Sequence, residues 1–302
     1  MASGHTTRRR QDKPRRNFGR PFGLAMALVL AFALVYTVVF SDNLYLVPGD
    51  NELIVAFLDV GQGDSILIWS RDNAILIDGG DFAQGDTVLR YIRQAGISRL
   101  DYVIATHPHS DHIGGLIPVL SRVEVGYVIM ADVVHTTTTF ENFIDTIANA
   151  HIPVVIPEVG ERFRAGIIDF TVVGPLPGHG NLNDASIVLR LRHGDTSFLF
   201  TGDAEAASER AMMASGLELR ADVLKVGHHG SRTSSTAAFL DAVGPVAAVI
   251  PVGGGNQFGH PHGEVLERFG ERGILVYRTD LNGTVFMGSD GVGIVVIDGL
   301  GR

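Results

Sequence analysis

From Leu53 onward the chain alternates short apolar runs with glycine-rich turn signals. The runs LIVAFLDV, SILIWS and AILIDGG come first, followed by a helical pattern over residues 87–95 and then by LDYVIATH. Short β-branched, apolar runs bounded by Gly, Asp and Ser read as buried strands, whereas longer segments with a 3.6-residue period read as helices. A second cycle follows with VGYVIM, a helix over 140–150 and IPVVIPEVG. The second half adds IDFTVVGP, ASIVLRLRHG, TSFLFTGDAE, a helix over 206–214, DVLKVGHHG, PVAAVIPVG, a helix over 262–272, ILVYRTD, TVFMGSDG and GIVVIDG. Strands alternating with helices predict a layered α/β fold. The similar rhythm of the two halves predicts two sheets sharing one core. No low-complexity linker divides them, so residues 50–302 are expected to form one domain.

A different pattern precedes this domain. Residues 21–40, PFGLAMALVLAFALVYTVVF, carry no formal charge, and their length matches the roughly 30 Å hydrocarbon core of a bilayer. Arg8, Arg9, Arg10, Lys13, Arg15, Arg16 and Arg20 stand before them, and positive flanks stay cytoplasmic. The pattern predicts a basic cytoplasmic tail over 1–20, a single membrane anchor over 21–40 and an extracytoplasmic domain beyond. The alternative is secretion after cleavage at the small-x-small site Ala31-Phe32-Ala33. The apolar stretch LVYTVVF continuing past that site favours an uncleaved anchor.

Charge sharpens the division. Residues 1–20 hold seven of the 24 Lys and Arg and one of the 33 Asp and Glu, which leaves 17 basic against 32 acidic residues beyond Arg20, a net of −15. A body this acidic lacks the broad cationic footprint that binds nucleic-acid phosphates, so a phosphate substrate would be held mainly by metal ions. The chain contains no cysteine, which excludes disulfides and thiolate zinc sites and leaves His, Asp, Glu and Asn as ligands.

Such ligands are concentrated in T-H-P-H-S-D-H, residues 106–112, between the strand over 101–106 and a helix expected over 113–120 that opens with Gly114-Gly115. In an extended stretch, side chains at i and i+2 face the same way, so His107 and His109 can approach one metal ion. Asp111 and His112 fall at the end of the loop, within reach of a second. Other polar residues repeat this context at the ends of apolar strands: Asp78 before Gly79-Gly80, Asp203 after FLFTG, His228 and His229 after DVLKVG, and His260 and His262 in FGHPHG. His5, His135, His151 and His193 stand alone and read as ordinary surface or core histidines.

The order Asp78, H-x-H-x-D-H, Asp203 and His228 or His229 resembles the metallo-β-lactamase superfamily. More narrowly, FLDVGQGDSILI, ATHPHSDHIGGL, LNDASIVLRL, FLFTGDAE, DVLKVGHHGSRTSS and GHPHGEVLERF resemble the hydrolase domain of ComEC-type competence proteins, a DNA-uptake channel family, over residues 52–296. The resemblance implies an αββα sandwich with two divalent metal ions, zinc or alternatively manganese. It implies that His107 and His109 hold the first ion, that Asp111 and His112 hold the second with one of His228 and His229, and that Asp203 bridges them. Asp111 and Asp203 would thus lie at the catalytic centre, with Asp78 orienting a ligand histidine. Many superfamily members carry a third histidine for the first ion. Here the corresponding block, N-L-N-D-A-S, offers Asn183, Asp184 and Ser186, and the nearest histidine is His179. The first site is therefore incomplete or completed by Asp184. Ser231, Arg232, Thr233 and Ser234 are candidates to bind an anionic substrate, and His262 to lie near the leaving group.

These readings make the chain a membrane-anchored metal-dependent hydrolase, with a phosphodiester, DNA in particular, as expected substrate and a separate uptake channel as expected partner. The alternatives are a hydrolase of another ester, a thioester or a lactam, and a non-catalytic partner of a translocation complex.

Overall fold

The computed structural model describes residues 1–2, 47–50, 52–178 and 180–297. The chain divides into two compact units, Met1–Leu44 and Tyr45–Arg302, and the fold below belongs to the second. Most of the expected tail, the whole expected anchor, His5 and His179 lie outside the described residues. Among the described residues no helix is long and apolar enough to cross a membrane.

Strands β1 (Leu53–Phe57), β2 (Ile66–Trp69), β3 (Ala74–Ile77), β4 (Arg99–Ala105), β5 (Glu124–Met130) and β6 (Val154–Val155) start a first sheet. Strands β7 (Arg162–Ala165), β8 (Ile168–Gly174), β9 (Val188–His193), β10 (Thr196–Phe200), β11 (Val223–Lys225), β12 (Ala247–Ile250) and β13 (Leu275–Arg278) make the second, and β14 (Val285–Ser289) and β15 (Ile294–Ile297) return to the first. The strand orders are β15-β14-β1-β2-β3-β4-β5-β6 and β13-β12-β11-β10-β9-β8-β7. Each sheet is antiparallel at one end and parallel at the other: β3 to β6 run parallel in the first, β10 to β13 in the second. The shared rhythm of the two halves is thus a shared strand pattern.

β1 illustrates why the runs are continuously apolar. Leu53, Val55 and Phe57 point between the sheets, where they meet Phe170, Phe198 and Phe200 in one core cluster. Ile54 and Ala56 point the other way, against helices α1 (Gly85–Gln94), α3 (Leu116–Leu120) and α4 (Thr138–Asn149). A strand buried on both faces has no polar side to alternate. On the outer face of the second sheet, Leu199, Leu224 and Ile250 pack with α5 (Ala206–Ala214), α6 (Ala237–Val243) and α7 (Gly263–Glu271). The layers run helix, sheet, sheet, helix. A short α8 (Thr279–Asn282) follows β13.

The helix expected over 113–120 is two short ones, α2 (Ser110–Ile113) and α3, parted at Gly114-Gly115. The break lets the backbone following β3 approach closely: a Cβ on Gly115 would lie 1.9 Å from the Gly79 carbonyl oxygen, and one on Gly114 would lie 2.5 Å from Phe82 N. Helix α6, absent from the sequence reading, is capped by the Thr236 hydroxyl and ended by Gly244 in the left-handed region at φ 59°.

Candidate metal centre

In both sheets the informative residues follow the carboxyl ends of strands. Asp64 lies in the β1–β2 loop, Asp78 follows β3, and His107 to His112 follow β4. From the second sheet come Asp203 after β10, and His228 and His229 after β11. Contacts across the sheets bring these ends to one place, as expected for ligand sites in parallel α/β arrangements.

Two clusters form around Asp203. His107 Nε2 stands 2.9 Å from His109 Nδ1 and 3.8 Å from Asp203 Oδ2. On the other side, His112 Nε2 lies 3.3 Å from Asp203 Oδ1 and 4.0 Å from Asp111 Oδ2. His229 Nε2 lies 3.4 Å from the same Asp111 oxygen and 3.6 Å from Asp203 Oδ1. The ligand atoms of His107, His109 and Asp203 all fall within 4.8 Å of one another, as do those of Asp111, His112 and His229. Ligands each about 2.0–2.2 Å from a common ion lie up to about 4 Å apart, so these sets come close to ion-binding dimensions. Asp203 therefore divides its two oxygens between two sites.

The fit rests on more than spacing. His112 Nε2, His229 Nε2 and Asp203 Oδ1 are buried and make no well-formed hydrogen bond, the two ring nitrogens meeting the carboxylate oxygen at 3.3 and 3.6 Å. Buried polar atoms in this state are costly unless something occupies them. Imidazole nitrogens and carboxylate oxygens suit zinc, manganese or iron.

The paired histidines turn in opposite directions. His228 and His229 have φ values of 44° and 51°, a left-handed conformation that non-glycine residues adopt at a cost and that clusters at functional sites. It parts the ring centroids by 6.0 Å. His229 Nδ1 contacts the Pro251 carbonyl oxygen at 3.0 Å, which turns Nε2 to the second cluster. His228 turns to the flank of the first: Nδ1 is 2.8 Å from Glu205 Oε1 and 3.3 Å from Asn183 Nδ2, and Nε2 is 3.8 Å from Asp203 Oδ2.

Behind the ligands lies a set of buried supports. Asp78 accepts from Thr106 N at 2.8 Å and from Thr106 Oγ1 at 2.7 Å, and its Oδ2 stands 2.8 Å from His112 Nδ1. Ser186 Oγ accepts from Asp203 N at 2.9 Å and lies 3.3 Å from His107 Nδ1. Asp64 forms an ion pair with fully buried Lys225, and its Oδ1 lies 3.3 Å from His229 Nδ1. Lys225 Nζ also donates to the Gly202 carbonyl at 2.6 Å. Asp64, Lys225 and Glu205 were not singled out from the sequence. Lys225 carries the plainest signal, since a lysine inside the apolar run DVLKVG must have a buried partner.

Burial opposes charge throughout the centre. At His112 and His229 the surrounding carboxylates, Asp203 foremost, outweigh burial and raise the imidazoles, His229 to about 10. At Asp203 burial is likewise overcome, by His112 and His229, and its carboxyl stays well below the usual range. At His107 burial and His112 prevail, and the ring is held neutral.

Several residues are placed differently from the sequence-based expectation. Asp184 does not complete the first cluster: its Oδ1 accepts from Glu205 N at 3.0 Å and Ser208 N at 3.1 Å, closing the open amino end of α5. Ser231 and Ser234 are committed to their own turn rather than presented to a ligand. Ser231 Oγ lies 2.9 Å from Thr233 Oγ1, and Ser234 Oγ bonds the Gly227 and Ser231 carbonyls. His262 accepts from Arg232 N at 3.0 Å and contacts His260 at 4.9 Å between ring centroids. His135, read as standing alone, has its ring 6.1 Å from that of His109.

A two-sheet α/β sandwich with His and Asp ligands gathered at the strand ends defines the class. The model of the Metallo-beta-lactamase superfamily matches residues 58–254, and the chain belongs to that superfamily of generally metal-dependent hydrolases. Within it, the chain is similar to competence-related proteins. It is 30% identical to ComE operon protein 3 of Bacillus subtilis (strain 168) over 269 residues, covering 82% of this chain and 34% of that protein. It is 32% identical to competence protein ComA of Neisseria gonorrhoeae over 251 residues, 79% of this chain and 33% of that protein. The chain thus spans about a third of these relatives' length. The crystal structure of the metallo-beta-lactamase fold protein YhfI from Bacillus subtilis superposes with a TM-score of 0.54 at 14% identity, over 79% of this chain and 100% of that one, a likeness of fold.

Proposed function

We propose that this protein is a membrane-anchored, metal-dependent phosphodiesterase that acts on nucleic acid, DNA in particular, on the extracytoplasmic side and beside a separate uptake channel. The observation that carries the metal-dependent chemistry is the division of Asp203 between two clusters. The competence-protein relatives support the choice of substrate. In this reading His107 and His109 would hold one zinc or manganese ion, Asp111, His112 and His229 would hold the other, and Asp203 would serve both. Such ions supply Lewis acidity toward a phosphoryl oxygen and activate water near neutral pH.

The chain's own residues prepare the site for that chemistry. Asp78 and the Pro251 carbonyl accept the Nδ1 protons of His112 and His229, so that each Nε2 faces the centre and would become a ligand once a bound ion displaces its proton. Lys225 balances the buried carboxylates of Asp64 and Asp203. The acidic body has few cations for holding a phosphate backbone, so the ions would carry most of that contact.

Full-length protein loaded with Zn2+ or Mn2+ in detergent should hydrolyse bis-p-nitrophenyl phosphate, and chelation or Asp203→Ala should abolish turnover. Hydrolysis of the lactam nitrocefin alone would overturn the phosphodiesterase reading. Less than about one bound ion per chain after reconstitution would overturn catalysis altogether, since the proposed site takes two.

A further inference from the structure

The loop between β12 and α7 passes along the rim of the metal centre and carries an aromatic ring that the hydrolytic reading leaves unused. Phe258 is 54% exposed, although large apolar rings are normally covered. The loop that presents it is held from within by one side chain. Asn256 Oδ1 accepts from Phe258 N at 3.2 Å and His260 N at 3.0 Å, while Nδ2 donates to the carbonyls of Gly253 at 2.9 Å and His260 at 2.7 Å. Gly253 N donates to Gln62 Oε1 at 3.2 Å, which ties the loop to the one following β1. Gly255 and Gly259 supply its left-handed turns at φ 65° and 71°. The backbone that carries the ring is therefore held in place before any ligand arrives.

What lies behind Phe258 gives the display a direction. Its ring stacks on His260 with centroids 5.7 Å apart and planes at 28°. His260 in turn stands 5.3 Å from the ring of His228 and 6.4 Å from that of His229. A column of rings thus leads from solvent through His260 to the flank of Asp203. His260 Nδ1, inside the column, is buried without a hydrogen-bond partner. Arg232 lies on the same rim: its backbone N donates to His262, and its exposed guanidinium stands 3.7 Å from the Glu264 carboxylate.

We infer that Phe258, backed by His260, is a stacking platform for an unpaired nucleobase of the substrate, adjacent to the phosphodiester held at the metal centre. The assignment rests on the phosphodiesterase reading and names its substrate class as single-stranded nucleic acid or a frayed duplex end. The charge balance leads the same way. With a net of −15 beyond Arg20, the body lacks the cations to track a long phosphate backbone, and base stacking on an aromatic ring supplies a grip beside that of the ions. Every base has a π face, so this grip tolerates any sequence. It requires the base to be free of its duplex partner.

The test compares a single-stranded oligonucleotide with an abasic deoxyribose-phosphate oligomer of equal length, using the metal-loaded full chain in detergent. Phe258→Ala should raise the ratio of KM for the oligonucleotide to KM for the abasic oligomer by about tenfold. Phe258→Leu should do the same although it keeps an apolar side chain, and Phe258→Trp should hold the ratio at the wild-type value. A ratio unmoved by both Phe258→Ala and Phe258→Leu overturns the platform while leaving the phosphodiesterase reading intact. Failure of the wild-type protein to cleave either oligomer overturns that reading and the platform with it.

Discussion

Asp78 holds its backbone at φ 55° while its carboxylate spans Thr106 and His112. Asparagine tolerates that conformation, but its amide nitrogen brings a donor where two donors already converge. Asp78→Asn should weaken ion binding roughly 10- to 100-fold, read by metal titration, and an unchanged affinity would remove Asp78 from the orienting role. At this scale the sequence was uneven in what it disclosed. The candidate ligands of T-H-P-H-S-D-H are legible because they sit on one short loop, where spacing alone relates them. The choice between His228 and His229 was not, since both follow the same strand and only the left-handed turn decides which ring faces which cluster. Asp64 and Lys225 escape for a different reason: their pairing joins opposite sheets and leaves no local pattern.

Among the elements, helix α5 shows how a site residue and a structural one can be confused. Its N-cap, Glu205, makes no side-chain cap of its own, and Asp184 supplies the missing acceptor from a distant loop. Asp184→Ala should cost about 1–2 kcal/mol of stability in denaturant unfolding and leave the number of bound ions unchanged. Loss of an ion would restore Asp184 to the metal centre. The strands and the longer helices could be read from periodicity, because burial on two faces imposes continuous apolar runs. The break at Gly114-Gly115 could not, because it answers to the backbone near Gly79, remote in sequence. Helix α6 was missed although Thr236 and Gly244 mark both its ends.

For the whole molecule, the unusual feature is how much charge lies in the interior. Asp64, Asp78, Asp203 and Lys225 are all buried beside protonatable histidines, a balance that bound divalent ions would complete. An ion at about 100 times its dissociation constant favours the folded state by about 2.7 kcal/mol. Chelation should therefore lower the unfolding midpoint by about 5 °C or more, followed by calorimetry, with recovery on adding ions back. A midpoint that ignores both treatments would argue that the centre binds nothing tightly.

The division of ligands between sheets has a mechanical side. The first sheet contributes His107, His109, Asp111 and His112, and the second contributes Asp203 and His229, so an ion held at either cluster would rivet one half of the sandwich to the other. Riveting is reciprocal: whatever the docked halves add to the grip on the ion, the ion adds to the grip between the halves. A substitution deep between the sheets, such as one at Phe170 or Phe198, would then loosen the ions without touching a ligand.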